Sequence, residues 1–138
     1  MADALSAAEA VPVAEFRAAL RGFLRTSERN ARAAGLTPQR YLLLLMIKGA
    51  PDQSEQSTVT ELAERLQLAQ STVTELVSRA EEIGLVERER SADDGRIAYL
   101  RLTEEGERRL AQSFTSNERE RQALREAFSH LEASVLAD

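Results

Sequence analysis

A mainly α-helical fold carrying one small β-hairpin is what this sequence predicts, and three observations predict it. Apolar residues recur at helical spacing along most of the chain. Aromatic residues make up only 4% and there is no Trp, so the core must be built from Leu, Ala, Val and Ile. One stretch alone, 85–102, breaks the helical period, and there two short extended runs flank an Asp-Gly turn dipeptide.

The elements follow in order. Residues 1–11 are Ala-rich and unpatterned, and a mobile tail is expected there. Val13, Phe16, Leu20, Phe23 and Leu24 then mark a first helix, with Pro12 suited to its first position and Gly35 ending it. Thr37-Pro38 opens a second helix as cap and first residue. Its body, 41–47, is apolar on all sides, which predicts a buried rather than amphipathic helix. A polar loop fills 49–57, with Gly and Pro as breakers. Thr58 and Glu61 fit a capping box, and the helix after it buries Val59, Leu62, Ala63 and Leu66. A break at 67–69 leads to a fourth helix carrying Val73, Leu76, Val77, Ala80 and Ile83, with Gly84 at the left-handed position past its end.

The extended runs 85–90 and 96–102 follow, joined through Ser91, Ala92, Asp93, Asp94 and Gly95. Thr103 caps a helix starting Glu104-Glu105, with Leu110 and Phe114 on one face. Beyond it, Leu124, Phe128, Leu131 and Val135 recur at helical spacing. Asn117 interrupts, and the segment fits one long helix or two short ones. A helix-turn-helix followed at once by a hairpin is a winged helix-turn-helix, here about 37–106 within a single domain spanning 12–138. The flanking helices, about 12–34 and 104–136, carry more apolar surface than one small domain needs for itself, and dimerisation through them is expected.

Composition removes most other classes of function. The chain has 138 residues, 43% hydrophobic and 30% charged, as a globular domain does. The longest apolar run is far short of the ~20 residues a spanning helix needs, and the N-terminus lacks the basic and apolar regions of a signal peptide. The cytoplasm is the expected location, with no membrane partner. There is no Cys and one His, which removes thiol chemistry and a Cys/His zinc site. His130 falls in the C-terminal helical pattern. No nucleophile–base pair, Gly-rich phosphate loop or metal cluster stands out, so neither an enzyme nor a cofactor nor a metal is expected. Net charge is −5, and residues 60–105 alone carry six Arg against eleven carboxylates, a local balance of −5. Bulk charge therefore gives no support to nucleic-acid binding, and the placement of individual arginines must carry any such reading.

The segments T-E-L-A-E-R-L (60–66), S-T-V-T (71–74), G-L-V-E-R (84–88) and D-G-R-I-A-Y-L-R-L-T-E-E-G (94–106), with L-T-P-Q at the start of the second helix, resemble the MarR (multiple antibiotic resistance regulator) family over about 36–106. The wing pattern is the specific part: an Asp, an Arg two residues on, then L-T-x-x-G. The resemblance implies a homodimeric transcriptional regulator, most simply a repressor, that binds a pseudo-palindromic site on double-stranded DNA under the control of a small-molecule effector. Two positions depart from the family pattern, and the region after the wing is short beside the two helices, one of them long, that the family commonly carries there. Ala69 stands where Ser or Asp usually caps the recognition helix, with Ser71 near enough to substitute. Glu75 stands where a basic residue is frequent.

Ser71, Thr72, Thr74, Glu75, Ser78 and Arg79 lie on the polar face of the fourth helix. Such residues contact bases and phosphates when a recognition helix enters the major groove. The wing offers Arg88, Arg90 and Arg96 as further DNA-binding candidates: Arg88 and Arg90 alternate onto one side of their strand, and Arg96 sits beside the hairpin tip. The resemblance assigns Arg96 to the minor groove, held by Asp94; otherwise Asp94–Arg96 is a surface bridge only. Arg17, Arg21, Arg25 and Arg29 form a stripe at i, i+4 spacing that suits an anionic effector, an acidic partner helix or plain solvent. Arg17, Arg40 and Tyr41 are the candidates for an effector site. The competing reading is a winged-helix module for protein–protein contact without DNA, which the acidic balance and Glu75 favour.

Overall fold

A computed structural model of the chain describes residues 3–136 and contains six helices and one two-stranded antiparallel sheet among them. The elements are α1 (Ala7–Ala33), α2 (Pro38–Lys48), α3 (Val59–Leu66), α4 (Gln70–Glu82), β1 (Val86–Arg90), β2 (Ala98–Leu102), α5 (Glu104–Ser116) and α6 (Glu118–Leu136). They form two compact units, 31–113 and the terminal segments up to 30 and from 114.

The 31–113 unit is the winged helix. Thr37 caps α2 by accepting the Arg40 N–H, and Thr58 and Glu61 form the expected reciprocal capping box at α3. α1, α3 and α4 all end in the same device. Gly35 (φ 79°), Gln67 (φ 59°) and Gly84 (φ 76°) turn left-handed. The next residue in each case, Leu36, Leu68 or Leu85, then donates its N–H back to the carbonyl of Ala31, Ala63 or Ala80. Leu36 and Leu85 are thereby driven into the core. Leu43, Leu44, Ile47, Leu62, Leu85 and Leu100 are fully buried there, each burial contributing roughly 1.5–3 kcal/mol. α2 does not bury every side, as its sequence suggests: Leu42 faces solvent, and Leu45 and Met46 are half-buried. α3, α4 and β2 all pack against α2.

The strands pair Val86 with Leu102, Arg88 with Leu100 and Arg90 with Ala98. Both are shorter at their outer ends than the sequence suggests, because Leu85 belongs to the helix-ending turn and Arg96–Ile97 to the loop. Ser57 adds a single bridge to Leu100, exchanging N–H···O bonds of 3.2 and 2.8 Å, so the preceding loop anchors the outer edge of β2.

α5 is fixed at its start by Thr103 and along its first turns by Glu105. The Glu105 carboxylate accepts from Arg108 and Arg109, and Arg109 also reaches the Gly35 carbonyl at 3.1 Å. The two guanidiniums hold the Glu105 carboxyl down at about 2, from an ordinary 4.5. A depressed carboxylate stabilises the fold above its unfolded value, and that contribution disappears as pH falls from about 4.5 toward 2. Glu105→Gln should therefore flatten the acid limb of the stability curve, read by urea unfolding at neutral pH and at pH about 3. An unchanged acid limb would refute this assignment.

In the terminal unit the first helix begins at Ala7, not at Pro12, so the unpatterned residues from 7 onward are helical. The reason is a second capping box: Ser6 Oγ accepts the Glu9 N–H and Glu9 Oε2 accepts the Ser6 N–H, both at 3.1 Å. Pro12 then lies inside the helix and removes one bond from the second turn. Asn117 separates α5 from α6, which selects two helices over one. It is fully buried, accepts from Asn30 Nδ2 at 2.6 Å and donates toward Ser27 Oγ at 3.4 Å. Its carbonyl takes the first bond of α6, from the Arg121 N–H. Phe16 and Phe128 meet edge to face at 6.2 Å. The side chain of Val135, assigned to the same apolar face, lies outside the described residues.

Candidate nucleic-acid interface

α4 turns Val73, Val77 and Ala80 into the core, and this fixes what it shows outside. Ser71, Thr72, Thr74, Glu75, Ser78 and Arg79 are all exposed on its outer side. Ala69 occupies the cap with extended backbone and no side-chain hydrogen bond, so no side chain caps the first N–H groups of α4. Gln70 ties the helix start to α3 through Thr60 Oγ1 at 3.3 Å. Glu75 and Arg79 form an i, i+4 pair at 2.9 Å with both side chains about two-thirds exposed.

The hairpin arginines are each held in place. Arg88 reaches back to Glu81 of α4 at 2.8 Å, and Arg90 donates to the Gly95 carbonyl at 2.6 Å. Asp94 accepts three bonds from Arg96: the backbone N–H at 3.0 Å, Nε at 3.1 Å and Nη2 at 3.2 Å. The backbone bond closes the turn, while the fork of side-chain bonds aims the guanidinium outward, 91% exposed. Arg96 also holds the Asp94 carboxyl below the usual range. Arg88, Arg96, Thr58 and Thr60 line one groove between the start of α3 and the hairpin.

The candidate effector residues fall in both units, Arg17 in the terminal one and Arg40 and Tyr41 in 31–113. Tyr41 is 5% exposed and belongs to the core, because the apolar ring fills the space beneath α2. Arg40 instead lines a surface groove with Thr37, Thr72, Glu75, Leu76 and Arg79. Arg17 is an exposed residue of the terminal unit. Two participants escape sequence reasoning. Glu81 looks like any solvated helix residue until the hairpin folds back beside it, and the Ser57 bridge is one residue long and leaves no alternation to detect.

The inward apolar edge of α4 and the clamped, outward hairpin define a winged helix-turn-helix protein. Residues 34–97 match a sequence model of the MarR family. No curated protein matches the chain. Among solved structures it is similar to YusO from Bacillus subtilis, at 23% identity and TM-score 0.61 over 88% of this chain and 85% of that one. A mutant of E. coli MarR complexed with operator DNA matches at 20% identity and TM-score 0.68, over 88% of each chain. The M. tuberculosis transcriptional regulator MosR, in complex with DNA, matches at 28% identity and TM-score 0.56 over 72% of this chain and 69% of that one. Among the described residues no helix is long and apolar enough to cross a membrane.

Glu75 gives the first functional expectation. Its carboxylate both repels phosphate and holds Arg79. Glu75→Gln should strengthen binding to random-sequence duplex a few-fold and steepen its salt dependence by about one phosphate contact. The ratio of specific to non-specific affinity should shrink. Identical binding of both kinds of DNA by variant and wild type would place Glu75 outside the interface.

Proposed function

We propose that this protein is a sequence-specific DNA-binding transcriptional regulator that acts as a homodimer. The observation that carries the reading is Arg96, projected from the hairpin tip by Asp94 in the same domain as an α4 that exposes Ser71, Thr72, Thr74, Ser78 and Arg79. α4 would enter the major groove and Arg96 the minor groove, where negative potential attracts arginine. Arg88 and Arg90 would hold the hairpin at its working angle. E. coli MarR, MosR and S. aureus MepR, all similar in fold, are each described bound to DNA. Selection from a random duplex pool tests the reading: a two-fold symmetric sequence should be enriched. A folded protein that enriches none would sink it.

Dimerisation is supported by apolar surface on the terminal unit. Val13 and Phe128 are each about half exposed there. Val13→Glu with Phe128→Glu should convert a dimer to monomers in sedimentation, with helix content kept. A double variant that stays dimeric would move the interface elsewhere. Control by a small-molecule effector belongs to the same proposal, with Arg17, Arg40 and Tyr41 the candidates for contact. The competing module without DNA draws support from one fact: Glu75, Glu81, Asp94 and Glu89 pair with Arg79, Arg88, Arg96 and Arg101. The selection experiment separates the two.

A further inference from the structure

Two groups of arginines in this chain contrast. All six between residues 60 and 105 are engaged: Arg79, Arg88, Arg96 and Arg101 by carboxylates, and Arg65 and Arg90 by backbone carbonyls. Arg17, Arg21, Arg25 and Arg29 of α1 are all exposed, and none forms an ion pair with a described residue. In a protein of net charge −5 this is a concentrated block of uncommitted positive charge.

Its shape is specific. Successive members are four residues apart, so each advances ~6 Å and turns ~40° around the axis, and the four span ~18 Å. Phosphates of duplex DNA follow one another closely along each strand, so a row of this length can reach several of them. Helical spacing puts Ala14, Ala18 and Gly22 on the same outward side, and all three are exposed. A Cβ at Gly22 would meet nothing within 4 Å. Small residues between the arginines leave room for a sugar–phosphate strand to approach the helix closely. One carboxylate, Glu28, borders the groove beside Arg21 and Arg25.

We propose that this face of α1 is a second, sequence-independent contact for the phosphate backbone of duplex DNA. A winged helix whose arginines are pre-engaged gains little from counterion release. The α1 stripe supplies that missing attraction, while α4 and the hairpin supply sequence recognition. An acidic polypeptide is the less favoured occupant, because the arginines follow a shallow spiral along the helix. A straight partner helix crosses such a row and meets only part of it. The proposal rests on the reading of the protein as a DNA binder only in naming DNA as the ligand.

The test uses the full chain and a fluorescent random-sequence duplex of about 30 base pairs, titrated between about 50 and 200 mM salt. Replacing Arg17, Arg21, Arg25 and Arg29 together by Gln should keep α1 helical, since Arg and Gln have similar helix propensity. The variant should bind this duplex more than about tenfold more weakly at the low-salt end, and its log–log salt slope should be shallower by about 3–4. Replacing the same four by Lys should leave both within about threefold of wild type, because counterion release counts charges rather than fork geometry. An unchanged slope in the Gln variant overturns the proposal. So does poly-glutamate competing as well as DNA per charge, or a Gln variant that sediments as a smaller species than wild type, which would make the face a subunit contact. Enrichment of a symmetric sequence from a random pool is scored separately. Its absence sinks the regulator reading and leaves the slope measurement standing.

Discussion

Gly106→Ala should destabilise the protein by about 3 kcal/mol and lower Tm by roughly 10 °C, although Ala is the better helix former by ~1 kcal/mol. Gly106 lies in the first turn of α5, where a Cβ would stand 2.2 Å from the Leu85 carbonyl oxygen and 3.2 Å from its carbon. That oxygen cannot simply move away. It accepts the Thr103 N–H at 3.0 Å, while the Thr103 hydroxyl donates to Gly84 O at 2.6 Å and accepts the Gly106 N–H at 3.1 Å. Leu85 itself is fully buried. Relieving the clash means parting α5 from the turn that leads into β1, or breaking this cluster of bonds. Thermal unfolding of the single variant decides between the two opposed effects. A Tm at or above wild type would show that propensity outweighs the clash and that α5 docks more loosely than its distances imply.

The same position shows what a sequence displays and what it hides. Gly106 is visible as the last residue of the L-T-x-x-G pattern, but the pattern carries no reason. The reason is the approach of two backbones twenty-one residues apart, which leaves no periodicity. Local rules fare better. Thr37, Thr58, Gly35 and Gly84 announce helix ends because caps and left-handed turns are satisfied by neighbours within a few residues. Gln67 takes the same left-handed role without the glycine that would advertise it. At the N-terminus the Ser6–Glu9 box is also local, yet Pro12 is the louder signal and points to the wrong start. The split at Asn117 is undecidable from spacing, since it depends on Asn30, eighty-seven residues away.

The candidate interface divides in the same way. The outward face of α4 follows from the inward spacing of Val73, Val77 and Ala80, so its residues are legible from period alone. That the arginines of the wing are already held is not legible, because Glu81 and the Gly95 carbonyl become partners only through the hairpin register. Bulk charge hides this for a related reason: it counts Asp94 and Arg96 as cancelling, whereas the pair holds an exposed guanidinium in a fixed direction.

Arg96→Ala should weaken binding to the selected DNA site by about 1–3 kcal/mol, roughly 5- to 150-fold, with the fold and the dimer intact. The side chain is 91% exposed, so its removal leaves no cavity, and an exposed ion pair contributes little to stability. The turn itself survives, because the Arg96 N–H still donates to Asp94 Oδ1 and the Ser91 N–H to the Ile97 carbonyl. If the Asp94–Arg96 pair served only to brace the hairpin, the opposite pattern would appear: a lower Tm and unaltered DNA affinity. Asp94→Asn sharpens the comparison. It keeps an acceptor for the Arg96 N–H but loses the charged fork that orients the guanidinium, so it should weaken binding less than Arg96→Ala does. The two substitutions together should cost about as much as Arg96→Ala alone, since Asp94 acts through Arg96. Measuring Tm and affinity on all three variants therefore tests aim and contact separately. A folded Arg96→Ala dimer that binds the selected site as tightly as wild type would remove the wing from DNA recognition and leave α4 to account for it alone.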